Sequence, residues 1–136
     1  MSYDLYIVPA RPGLTPAEVG EALERAELED TDRPFGVPPE AFRACLDEIL
    51  RRHPPMEGMS DEEIDRSIWS IDPGCEGGYI GLCMRWSTTP EQISGIIDIA
   101  HRHGFAVHDQ QEGAIYPPPG ARPGGIAGLI RRLFGR

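Results

Sequence analysis

The chain of 136 residues contains no lysine and no asparagine, so all 13 of its basic residues are arginine. Both missing types have A-rich codons, and the pair of absences reads as codon usage rather than as selection for guanidinium chemistry. No apolar run approaches the roughly 20 residues that cross a bilayer, which excludes a transmembrane helix. The opening Met-Ser-Tyr-Asp lacks a basic stretch, and the apolar run from Leu5 to Val8 is too short for a secretory signal, so a cytoplasmic location is expected. Positive charge is scarce as well. The net charge of −9 argues against a nonspecific grip on nucleic acid, because phosphate contacts need a basic face, and no nucleic-acid partner is expected. Cys45, Cys75 and Cys83 make an odd set without Cys-x-x-Cys spacing. They read as free thiols, with Cys45 and Cys83 as small buried side chains and Cys75 exposed in a glycine loop.

What is abundant is acid, and it is unevenly placed. Residues 1–65 hold 16 acids against 6 arginines, whereas residues 66–136 hold 6 acids against 7 arginines. Nine glycines and prolines fall within residues 117–136, which sets a Pro/Gly-rich basic tail (118–136) apart from a single domain over residues 1–117. In the tail Ile126, Leu129, Ile130, Leu133 and Phe134 recur at helical spacing beside Arg131, Arg132 and Arg136, the pattern of a short amphipathic helix.

Tyr3 to Val8 alternates around Leu5 and Ile7 and predicts a first strand. Thr15, Pro16 and Glu18 form a capping box for a helix with Val19, Ala22, Leu23 and Ala26 on its apolar stripe. An acidic linker, 27–32, leads to a second helix from Pro38-Pro39, and Ser60 with Glu63 caps a short helical turn. Ser67 to Asp72 and Tyr79 to Trp86 predict two strands joined by a glycine-rich loop. Thr89 and Gln92 cap the next helix, Gly104 ends it, Phe105 to Gln111 predicts another strand, and Ala114 to Tyr116 offers a short further one.

This order predicts an α+β, ferredoxin-like βαββαβ fold: an antiparallel sheet in the order 4-1-3-2 with an extra helix in the first crossover. Helices are expected on the face of Leu5, Ile7, Leu82, Met84, Phe105 and Val107. The other face, with Asp4, Tyr6, Val8, Cys83, Arg85, Ala106, His108 and Gln110, is expected to be open.

The glycines at 74, 77, 78 and 81 do not precede a helix, so they do not form a phosphate loop. His101, His103 and His108 lack the i, i+4 spacing of a helical metal site, and neither a metal nor a cofactor is expected. No serine or cysteine sits in a nucleophile elbow. On the open face, Tyr6, Arg85 and His108 come from three neighbouring strands and offer a phenol, a fixed cation and an imidazole to a small ligand. Alternatively the same face pairs two copies into a homodimer. Glu27, Glu29, Asp30 and Asp32 concentrate the negative charge and suit a basic protein partner.

Tyr3-Asp4-Leu5-Tyr6, Pro54-Pro55-Met56 and the run from Arg102 to Gln111 resemble a loose group of small, mainly actinobacterial proteins with a Ser-Tyr-Asp-Leu opening. The likeness spans residues 2–117. His108-Asp109-Gln110-Gln111 stands where Tyr-Asp-Pro-Gln is common in that group. Some of its members look like immunity proteins of polymorphic toxin systems, which implies binding rather than catalysis. The expected function is therefore a non-enzymatic protein-binding module, immunity-like, with a small dimeric enzyme or ligand-binding protein as the alternative.

Overall fold

A computed structural model describes residues 2–119. The first strand, β1, runs over Ser2–Pro9, and helix α1 over Pro16–Glu29. Thr15 accepts from the Glu18 backbone N–H while Glu18 reaches back to Thr15, so the capping box forms as read from the sequence. A 3-10 turn, Pro39–Phe42, then leads into α2, Arg43–Arg52, followed by α3, Asp61–Arg66, under the Ser60–Glu63 capping box. Strands β2 (Trp69–Ile71) and β3 (Ile80–Arg85), helix α4 (Pro90–Arg102), and strands β4 (Phe105–Asp109) and β5 (Ala114–Tyr116) complete the order. Gly104, at φ +82°, ends the α4 segment. Among the described residues no helix is long and apolar enough to cross a membrane.

The strands form one antiparallel sheet in the order β2-β3-β1-β4-β5. This is not the four-strand order 4-1-3-2 of the expectation, because β5 folds back and adds a fifth strand outside β4. Helices α2 and α4 pack on one face, where Cys45, Leu46 and Ile49 meet Ile96, Ile99 and Ala100 over Leu5, Ile7, Leu82, Met84 and Val107. Phe42 stacks on Phe105 at 4.7 Å. Trp69 is fully buried, and its Nε1–H donates to the His53 carbonyl at 2.8 Å. That bond ties β2 to the end of α2 and satisfies the one polar atom of a large apolar side chain.

The expectation of helices on one face only is corrected. Val19 and Leu23 of α1 pack on Val8, Ala106, Tyr6 and Ile115, which belong to the opposite face. The molecule has three layers there, because α1 brings an apolar stripe that the α2–α4 layer leaves no room to bury. Cys45 is buried as expected, but the other two thiols differ from expectation: Cys75 is buried and Cys83 is half-buried. The amphipathic helix read in the tail lies outside the described residues.

Candidate functional site

Tyr6 and His108 are directly opposed across β1 and β4, and their rings stack with centroids 6.0 Å apart. His108 is only 6% exposed, and its Nδ1 has no hydrogen-bond partner. Burial pushes its imidazole below the usual range, with Asp109 opposing the shift. Tyr6 is pushed up, first by burial and then by the nearby Asp4 carboxylate, so its phenol remains a protonated donor.

Arg85 does not join them. Gly81 is the residue of β3 that pairs with Tyr6, whereas Arg85 pairs with Ser2. At about 3.3 Å per residue this places Arg85 roughly 13 Å farther along the strand. Its guanidinium donates to the Asp65 carbonyl at 3.0 Å instead. Spacing had put the three residues on one face; the register separates them along it.

The acidic residues are all exposed, but they are not a linker. Glu27 and Glu29 belong to the last turn of α1, and Asp30 is its C-cap in the left-handed region at φ 52°. Asp32 follows and pairs with Arg33 at 3.6 Å, both groups being well solvated. The last turn carries no basic residue, so these carboxylates face the negative end of the helix dipole. Leu28, 78% exposed, stands among them.

Behind this turn lies a groove of about 430 Å³ between α1 and the sheet. Tyr6 and Tyr79 supply aromatic surface, Leu23 an apolar wall, and Glu24 and Glu27 carboxylates. The structure thus brings Tyr6 together with Glu27, one residue from each of the two groups singled out in the sequence. Tyr79 was not singled out. Its position two residues before Gly81, the partner of Tyr6, sets its ring centroid 6.1 Å from that of Tyr6. Gly78 closes the arrangement. A Cβ there would stand 2.0 Å from the Asp32 carbonyl oxygen, so the loop before β3 lies directly against the acidic turn.

A second groove, of about 540 Å³, opens on the other side of the sheet beside α4, lined in part by Tyr3, Trp86, Ile93 and Tyr116. Only tertiary structure reveals it, since its walls come from both ends of the described chain. The Tyr3 hydroxyl donates to Asp109, which is buried and also accepts the Glu112 backbone N–H at 3.0 Å. His101 Nε2 lies 2.9 Å from the Tyr116 carbonyl, which can only accept, so the imidazole carries its proton there. Among the described residues no group of three or more His, Cys, Asp or Glu side chains is placed to hold a metal ion. No protein-family model, curated protein or solved structure matches the chain.

Proposed function

We propose that the chain is a protein-binding module that receives a basic partner on the C-terminal end of α1, with an arginine side chain of the partner entering the groove behind it. The observation that carries this reading is that Tyr6, Tyr79, Glu24 and Glu27 line a single groove. Two aromatic faces and two carboxylates suit a guanidinium, which stacks on the rings while its N–H groups bond the acids. Leu28 offers an apolar anchor inside a charged rim, the usual anatomy of an interface.

The local energetics support the same reading. Acids in the last turn of a helix are unfavourable by ~0.3–1 kcal/mol each at the surface, and nothing basic in that turn offsets them. A sequence that breaks a local rule without local compensation does so most often where it functions. The resemblance to immunity proteins fits a basic partner. We read the α2–α4 layer with β1 to β4 as a ferredoxin-like core, extended by α1 on the second face and by β5 at the edge.

The test uses an arginine-rich peptide and its citrulline counterpart, which keeps the shape and loses the charge. The full chain should bind the arginine peptide, and Glu24→Gln with Glu27→Gln should weaken it by about tenfold, the sum of two exposed charge contacts at ~0.2–1 kcal/mol each. Tyr6→Leu should weaken it by about two- to fivefold through lost stacking at ~0.5–1 kcal/mol. Equal binding of the citrulline peptide would refute the proposal.

A further inference from the structure

The groove beside α4 has a different character. The rings of Tyr3 and Trp86 stand nearly perpendicular, at 81°, with centroids 5.7 Å apart, and form two walls of a corner. Tyr116 of β5 adds a third aromatic residue, and Ile93 and Ile97 of α4 give an apolar wall. Asp98 lines it with an exposed carboxylate, and among the described residues no arginine does.

His101 also lines the groove, its Nε2 turned to the Tyr116 carbonyl at 2.9 Å, and a buried acid stands behind the aromatic corner. Asp109 is 2% exposed, accepts from the Tyr3 hydroxyl, and has no ion-pair partner among the described residues. A phenol that donates to a carboxylate carries a more electron-rich ring, and a ring quadrupole attracts cations through its face. A buried carboxylate with hydrogen bonds but no countercharge leaves a negative potential that a bound cation offsets. An aromatic corner of this kind selects a weakly hydrated, alkylated nitrogen over a compact ammonium that keeps its water.

We propose that this groove binds a compact alkylated ammonium ion, its charged nitrogen against Tyr3 and Trp86 and its methyl groups on Ile93 and Ile97. The site is independent of the basic-partner surface, because α1 and α4 lie on opposite faces of the sheet.

Choline and its neutral carbon isostere, with tert-butyl in place of trimethylammonium, provide the test on the full chain. Trp86 is 49% exposed and reports on the groove by fluorescence, whereas Trp69 is fully buried in the core with its indole N–H on the His53 carbonyl and does not line the groove. Choline should change Trp86 emission and bind at least ~tenfold more tightly than the isostere, a difference of the size that a desolvated cation–ring contact supplies. By calorimetry Trp86→Leu should abolish binding, and Asp98→Asn, at an exposed position that does not endanger folding, should weaken it several-fold. Glu27→Gln should leave it unchanged. Equal affinity for the isostere, no binding of either compound, or retention of binding by Trp86→Leu would overturn the proposal. Loss of binding in Glu27→Gln would place the cation in the other groove and overturn it too. Nuclear Overhauser contacts from Ile93 or Ile97 to Phe134, or a concentration-dependent contact between copies, would give the groove to the chain's own tail or to a second molecule, with the same consequence.

Discussion

Replacing Gly78 by alanine isolates the contact that holds the acidic turn in place. Gly78 has φ +81°, and a Cβ would lie 2.0 Å from the Asp32 carbonyl oxygen, 2.9 Å from its carbon and 3.1 Å from Pro34 Cδ. The first two are backbone atoms, which cannot rotate away as a side-chain end would. Gly58 provides the control: its φ is +83°, and nothing lies within 4 Å of the same construction. Left-handed backbone costs a side-chain-bearing residue about 1–2 kcal/mol, and that is the whole expected penalty for Gly58→Ala. Gly78→Ala pays the same strain plus an overpacking cost of about 1–3 kcal/mol. Urea unfolding of both variants should therefore show Gly78→Ala less stable than Gly58→Ala by about 1–3 kcal/mol at an unchanged m-value. Because the shift moves Asp32 without altering charge, Gly78→Ala should also weaken the arginine-rich peptide. Two variants equal within about 0.5 kcal/mol would refute the packing of the acidic turn on this loop.

His108 is held below its usual range by burial, so below pH ~6.5 the unfolded chain takes up a proton that the native imidazole refuses, and stability falls with pH. His108→Phe should flatten that decline, measured as melting temperature between pH 7 and 5, with the residual slope owed to His53, which is lowered for the same reason. Glu48 accepts from Arg102 and His103, which hold its carboxyl down at about 2. Its contribution is present above pH ~4.3 and is lost as pH falls toward 2, so Glu48→Gln should differ from the parent at neutral pH and converge with it in acid. Tyr3→Phe takes the hydroxyl from buried Asp109 and should cost about 1–3 kcal/mol in urea unfolding, and a loss below about 0.5 kcal/mol would argue against that bond.

Local chemistry made much of the fold legible. Three capping boxes, Thr15–Glu18, Ser60–Glu63 and Thr89–Gln92, lie in the structure where the sequence puts them, because a cap is a contact over three residues and needs no knowledge of the rest of the chain. Alternation assigned Leu5, Ile7, Leu82 and Met84 to one face correctly for the same reason. The acidic run was legible as charge but not as helix: its apolar stripe thins after Ala26, and only the continued backbone ladder shows α1 reaching Glu29.

Pairing and layering were decided elsewhere. Alternation says which face a side chain takes, not how far along the sheet it lies, so Arg85 read as a neighbour of Tyr6 until register set it beside Ser2. An amphipathic helix announces one apolar stripe but not which side of a sheet it covers. Val19 and Leu23 sit on the second face because α2 and α4 already fill the first. The groove of Tyr3, Trp86 and Tyr116 had no signature at all, since its walls lie 83 and 30 residues apart along the chain and meet only when β1, β3 and β5 take their places around α4. The sequence by itself determined the elements, their caps and their inward faces, which short-range sterics and hydrogen bonds dictate. Tertiary structure alone decided which exposed side chains converge, because that depends on strand register and layer order, and these are settled by the packing of the whole chain.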